Sequence, residues 1–330
     1  MTNLVIIIIV MKKENILEIK NLNISFQMED ELARAVHGVE LTLEKGKVLG
    51  IVGESGCGKS VTAMSIMKLL PSNAIIESGE ILYNGVNLLN LSQNEMQKIR
   101  GSKISLIPQD PLTSLNPLYT VGEQIIETIE YHRGISRKEA TEIAVESLKS
   151  VKIPEPENRL NDYPHQFSGG MRQRAIIAMA LCCNPELIIA DEPTTALDVT
   201  VQAQILDLIK QIQAERGTSL IFITHDLGVI AEFCNHVAVM YAGRIVEYAQ
   251  VEDIFNNPLH PYTKGLLESL PSPDKEILNV IPGQPPAITE NIPGCVFHPR
   301  CPYRMDICDK VDPVLTIKEN NQQVYCHLYD

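Results

Sequence analysis

The eight residues Gly53-Glu54-Ser55-Gly56-Cys57-Gly58-Lys59-Ser60 read G-x-x-x-x-G-K-S and sit between an apolar run, Val48 to Val52, and an apolar-periodic segment, Val61 to Leu70. A strand, a glycine-rich turn and a helix in that order make a phosphate-binding loop. The glycines let backbone amides turn inward around phosphate oxygens, and the helix that follows presents its positive end. Lys59 reaches the β and γ phosphates and Ser60 offers a hydroxyl to Mg²⁺, so the chemistry is that of a nucleoside triphosphate site. A second apolar run, Leu187-Ile188-Ile189-Ala190, ends in Asp191-Glu192. Such a run suits a buried parallel strand. At its carboxyl end Asp191 can hold the Mg²⁺ shell while Glu192 polarises an attacking water.

Phe167-Ser168-Gly169-Gly170-Met171-Arg172-Gln173-Arg174 opens a helical stretch that runs to about Cys182, a few residues before the acidic strand. Ser168 with the amides of Gly169 and Gly170 forms a helix N-terminus suited to an anion. Gln109 ends the apolar stretch Ile104-Ser105-Leu106-Ile107-Pro108, His225 follows the strand-like Leu220-Ile221-Phe222-Ile223-Thr224, and Ala196-Leu197-Asp198 follows the acidic pair. Singly, each has an ordinary explanation as a polar end residue or helix cap. As an ordered set over residues 16 to 250 they resemble the nucleotide-binding subunit of an ATP-binding-cassette (ABC) transporter.

That resemblance implies roles residue by residue. Gln109 touches Mg²⁺ or water and the helical segment that meets membrane subunits, and His225 is the switch histidine at the γ-phosphate. Asp198 lies in the loop that crosses a dimer interface. Ser168, Gly169 and Gly170 clamp the γ-phosphate held by a partner, so two chains close around two ATP molecules; the second chain is either a sister ATPase or a copy of this one. Phe26, in Leu22-Asn23-Ile24-Ser25-Phe26, takes the place of the aromatic that stacks on adenine. The family more often has Tyr there, and a Phe in an alternating strand otherwise reads as core.

The implied fold class is α/β: a P-loop NTPase (RecA-like) core with an N-terminal antiparallel β subdomain, an inserted helical signature subdomain and a small irregular C-terminal metal-binding extension. The 330 residues divide into a flexible tail (1–14), the cassette (15–254) and the extension (255–330). The helical subdomain, about 110–170, shows in Val121 to Ile126 and in Arg137 through Val151, and the prolines at 154, 156 and 164 break the pattern. Its early loop, Asp110 to Pro117, is either a plain surface loop or the contact for a membrane subunit's cytoplasmic helix.

With 28 basic against 41 acidic residues the formal charge is −13, which disfavours nucleic acid or an anionic membrane surface as the main partner. The seven apolar residues Leu4 to Val10 fall short of the roughly 20 needed to cross a bilayer. A cytosolic protein is expected, peripheral on the cytoplasmic face of the membrane through two permease subunits.

Three segments of the last quarter, Leu259-His260-Pro261-Tyr262 to Leu267, Ile281-Pro282-Gly283-Gln284-Pro285-Pro286, and Gly294-Cys295 to Cys301-Pro302, resemble the carboxyl extension of oligopeptide and dipeptide importer ATPases. The implied cargo is di- or oligopeptide, delivered by an extracytoplasmic binding protein. Nickel importers share part of the pattern. A soluble cassette protein of translation or DNA maintenance would carry two cassettes or long coiled coils, and an exporter ATPase would lack the tail.

Eight cysteines remain. Cys57 lies in the phosphate loop, where a helix N-terminus lowers a thiol pKa and favours oxidation; Cys182, Cys183 and Cys234 read as buried fillers. Cys295, Cys301, Cys308 and Cys326 crowd into 32 residues with five, six and seventeen residues between them. Cytosolic thiols stay reduced, so a metal staple is one reading. These gaps suit a four-cysteine [4Fe-4S] cluster better than Zn²⁺, which favours closely spaced pairs; in the zinc case His298 or His327 can replace a thiol, and free structural thiols are the third reading.

Overall fold

The structure, a computed structural model, describes residues 14–29, 31–195, 197–270 and 281–330. The expected tail, the apolar run Leu4 to Val10 and Ala196 lie outside the described residues, apart from residue 14.

A mixed eight-stranded sheet runs in the order Leu315–Ile317, Gln323–Tyr325, Arg244–Gln250, His236–Tyr241, Val48–Val52, Ser219–Thr224, Leu187–Asp191, Ile104–Ile107. The five strands from His236–Tyr241 to Ile104–Ile107 are parallel. Val48–Val52, Leu187–Asp191 and Ser219–Thr224 are buried along their whole lengths, which is why they read as unbroken apolar runs rather than alternating ones. Each fully buried Ile or Leu contributes roughly 1.5–3 kcal/mol. A second, antiparallel sheet pairs Asn15–Gln27 with Leu32–Glu44 and Ala74–Tyr83. Its apolar face packs over Leu49, Ile51, Ile189 and Ile223, on the side of the main sheet opposite the helical layer.

Two capped helices fill the inserted segment. Val121–Arg133 starts at a reciprocal Thr120–Glu123 capping box, and Arg137–Ser150 at a Ser136–Glu139 box, each satisfying amides that the first turn leaves unpaired. Both pack against the helix Gly169–Leu181. The expected loop at 110–117 contains a single helical turn, Pro111–Ser114, with Thr113 Oγ1 donating to the Asp110 carboxylate at 3.0 Å.

The extension is more than an irregular appendage. Gln323–Tyr325 adds antiparallel to Arg244–Gln250, and Leu315–Ile317 forms the outer edge. Across that seam Glu247 is 0% exposed. Its carboxylate accepts from the amides of Leu259 at 2.8 Å and His260 at 2.9 Å and from Gln322 Nε2 at 2.7 Å, so a group whose burial is costly becomes a three-way tie. Burial still pushes the Glu247 carboxyl above the ordinary range, with those hydrogen bonds opposing it.

His260 caps the helix Pro261–Glu268, its Nδ1 accepting from the Tyr262 amide at 3.0 Å. Burial lowers its pKa to about 3. Unfolded, it titrates near 6.5, so between about pH 6.5 and 3 the unfolded chain binds a proton that the folded chain refuses, and stability falls as pH falls. By this route the wild type should lose about 2 kcal/mol between pH 6.5 and 5. His260→Asn keeps a capping acceptor, so denaturant titrations of the two proteins should differ by that slope; parallel curves would contradict it.

Among the described residues no helix is long and apolar enough to cross a membrane.

Candidate active site

The phosphate loop joins the central strand Val48–Val52 to the helix Lys59–Ile66. Gly58 adopts φ +104°, and a Cβ there would meet the Ala35 carbonyl oxygen at 2.6 Å; at Gly53 the Met240 carbonyl would lie 2.1 Å away. Only glycine fits either place. Lys59 is buried, and its Nζ donates to the carbonyls of Gly53 at 2.8 Å and Glu54 at 3.0 Å. The side chain therefore lies folded across the loop mouth, with donors that phosphate oxygens can take over.

Ser60 Oγ donates to Asp191 Oδ1 at 3.0 Å, joining the loop to the end of the acidic strand. Burial pushes the Asp191 carboxyl up, with the Ser60 hydrogen bond opposing that shift. A desolvated carboxylate beside a hydroxyl is a pair of hard oxygen donors, and it fits Mg²⁺.

Glu192 gathers three of the remaining residues at one oxygen. Its Oε2 accepts from Gln109 Nε2 at 3.1 Å and Thr195 Oγ1 at 2.9 Å, and lies 3.5 Å from His225 Nδ1. Its backbone sits at φ +44°, a left-handed conformation that costs a non-glycine residue about 1–3 kcal/mol and clusters at functional sites. His225 is largely exposed, open to whatever approaches. The expected trio of Gln109, Glu192 and His225 is thus assembled from three strand ends; Thr195 was not anticipated, and its only sequence signal is its place three residues after Glu192.

Ser168 and Asp198 do not join this cluster by any hydrogen bond among the described residues. Each caps its own helix, Ser168 accepting from the Met171 amide at 3.3 Å and Asp198 from the Val201 amide at 3.0 Å. The two helices touch where Gly170 approaches Val201; a Cβ on Gly170 would come within 2.7 Å of Val201 Cγ1. Ser168, Gly169 and Asp198 are exposed. Phe26 is half-buried against the antiparallel sheet's apolar cluster, opposite Ala33 and Ala74.

Three readings of the cysteines change. The Cys57 thiol is buried and pushed up by desolvation, with Lys59 only opposing, because the loop folds its Sγ inward rather than toward the helix end and solvent. It is therefore not primed for oxidation. Cys182 and Cys234 are the expected buried fillers, whereas Cys183 is half-buried and its thiol is drawn down to about 7, mainly by its hydrogen bond with Cys182, whose Sγ lies 3.8 Å away. In the extension the Cys295 amide donates to the Cys308 carbonyl at 2.8 Å. Burial first and the neighbouring cysteines second hold the Cys295 and Cys326 thiols up at about 11. Yet among the described residues no group of three or more Cys, His, Asp or Glu side chains is arranged to hold a metal ion. The expected four-cysteine ligand set is thus not arranged in this structure, although the thiols are neighbours.

Residues 36–195 match the family model of the ABC transporter, and residues 246–308 match that of the oligopeptide/dipeptide transporter C-terminal region. The chain belongs to the ABC transporter family, as an ATP-binding subunit. A dipeptide transport ATP-binding protein of Bacillus subtilis, DppD, is 52% identical over 320 residues, covering 96% of each chain. The oligopeptide transport ATP-binding protein OppD of Salmonella typhimurium is 50% identical over 301 residues, 91% of this chain and 90% of its own. Among solved structures, the dimeric, post-hydrolysis ATP-binding cassette MJ0796 bound to ADP and Pi is similar with a TM-score of 0.64 at 31% identity, covering 71% of this chain and 98% of that one.

Proposed function

We propose that this chain is the ATP-hydrolysing subunit of an ABC importer for di- or oligopeptides. The observation that carries the reading is the joining, in one chain, of the Glu192-centred site to a C-terminal region of the oligopeptide/dipeptide type. Residues Gly53 to Ser60 cradle the triphosphate, Phe26 offers a ring face to the base, and Ser60 and Asp191, with Gln109 at the edge, hold Mg²⁺, which when bound neutralises charge on the β and γ oxygens. Glu192 takes the proton of the attacking water, while Gln109, Thr195 and His225 fix the orientation of its carboxylate. Ser168, Gly169, Gly170 and Asp198 serve a second site on the partner's nucleotide; the exposure of Ser168, Gly169 and Asp198, which bond within their own helix ends, supports that assignment.

The cassette then spans 15–254 and the extension 255–330, and two membrane permeases and a second ATPase subunit complete a transporter at the cytoplasmic face. Reconstituted with its permeases and a peptide-binding protein, the wild type should hydrolyse ATP faster when dipeptide or oligopeptide is supplied; stimulation by Ni²⁺ alone would favour the nickel reading instead. A [4Fe-4S] cluster or Zn²⁺ in the extension rests on the closeness of Cys295, Cys301, Cys308 and Cys326 alone. Anaerobic purification should give a brown protein with about four irons per chain, and a colourless, metal-free protein would leave them as structural thiols.

A further inference from the structure

Two of the three segments of the extension that matched no catalytic role meet at one residue of the phosphate loop, and the third braces one of them. Arg300, at the end of the turn His298–Arg300, forms a two-pronged ion pair with Glu54: Nη1 donates to Oε2 at 2.7 Å and Nη2 to Oε1 at 3.1 Å. Its Nε donates to the Pro282 carbonyl at 2.9 Å, and the guanidinium centre lies 5.7 Å from the centroid of the Tyr241 ring. The Arg300 side chain is only 6% exposed. From the first segment, the Tyr262 hydroxyl accepts from the Glu54 amide at 3.0 Å. Tyr262 is held in turn by Tyr241 and Phe297, with ring centroids 4.6 and 5.4 Å away. One residue of the loop is thus gripped at both carboxylate oxygens and at its backbone by parts of the chain about two hundred residues away.

We infer that Arg300 and Tyr262 are positioning residues of the phosphate-binding loop, and that through them the C-terminal extension sets the affinity for ATP. The inference rests on the ATPase reading above. A carboxylate at the first variable position of such a loop opposes a bound triphosphate by like-charge repulsion. A buried, bidentate guanidinium neutralises that carboxylate and holds it toward the extension. The Tyr262 contact fixes the peptide plane whose carbonyl oxygen, that of Gly53, faces Lys59.

The test uses the full chain, measuring ATP–Mg²⁺ affinity, steady-state kinetics and thermal midpoint in parallel. Arg300→Gln should raise KM and Kd for ATP about tenfold, the scale of one charge-assisted hydrogen bond lost, with kcat lowered less than twofold. In the double variant Glu54→Gln/Arg300→Gln, with no carboxylate left to neutralise, both constants should return to those of Glu54→Gln alone. A merely structural role would not give that rescue. Tyr262→Phe keeps the ring packing and should raise KM about threefold, and Arg300→Lys, which keeps charge but not the fork, should fall between Gln and wild type. An Arg300→Gln protein with unaltered KM, additive effects in the double variant, or losses that follow only the thermal midpoint would overturn the inference. Should Arg300→Gln fail to fold, Tyr262→Phe and Arg300→Lys decide. Absence of ATP binding by the wild type would instead sink the underlying ATPase reading.

Discussion

Glu192→Gln is expected to lower ATP turnover by a factor of about 10²–10⁴, the range spanned by general acid–base catalysis, while ATP still binds. The geometry separates the two properties. Glu192 Oε2 is the common acceptor for Gln109 and Thr195 and faces His225, whereas the Lys59 and Ser60–Asp191 hydrogen bonds are made without Glu192's side chain. An amide retains the shape but cannot take a proton from water. Phosphate release by the full chain, beside equilibrium titration with ATP, reads both quantities; a glutamine variant that keeps more than a tenth of the wild-type rate would remove Glu192 from this role.

Lys59→Ala should act on binding instead. The Lys59 ammonium is shared by two carbonyls of the loop, and with triphosphate present it supplies a buried positive charge. Loss of hydrogen bonds to charged groups costs about 1.5–3 kcal/mol each, so ATP affinity is expected to fall roughly 10- to 100-fold. Equal affinity in the alanine variant would show that the backbone amides alone hold the phosphates. The contrast between these two variants, one trapping ATP and the other losing it, fixes the division of labour between the loop and the acidic strand.

What could be read from the sequence was whatever the chain encodes locally. Gly53 to Ser60, Ser168 to Gly170 and the strand pair Asp191-Glu192 are contiguous words whose geometry follows from their own backbone: a glycine where φ is positive, a cap before a helix, an acid at the end of a buried run. The helical insert followed from periodicity and proline breaks in the same way, whereas the antiparallel sheet came with the family resemblance. Contacts between distant residues were not legible. Tyr262 and Arg300 stood out only as parts of tail motifs, because the pairing of Arg300 with Glu54 closes over 246 residues. The Cys57 expectation failed for a related reason. The pull of a helix end on a thiol is outweighed when the sulfur is buried, and the burial of this one is set by the fold rather than by the loop's own residues alone. For the four late cysteines, spacing fixed their neighbourhood but not the directions of their sulfurs.

The seam between Arg244–Gln250 and Gln323–Tyr325 bears on how the chain is made. During synthesis the phosphate loop and the acidic strand leave the ribosome early, but the carboxylate of Glu247 waits for Gln322, 75 residues later, and that of Glu54 waits for Arg300. Until then Glu247 holds only the amides of Leu259 and His260 and a sheet edge stands open, which is the kind of surface that chaperones and proteases recognise. Leu315–Ile317 and Gln323–Tyr325 therefore act as a seal: without them every motif of the cassette is already present, yet its main sheet is unfinished.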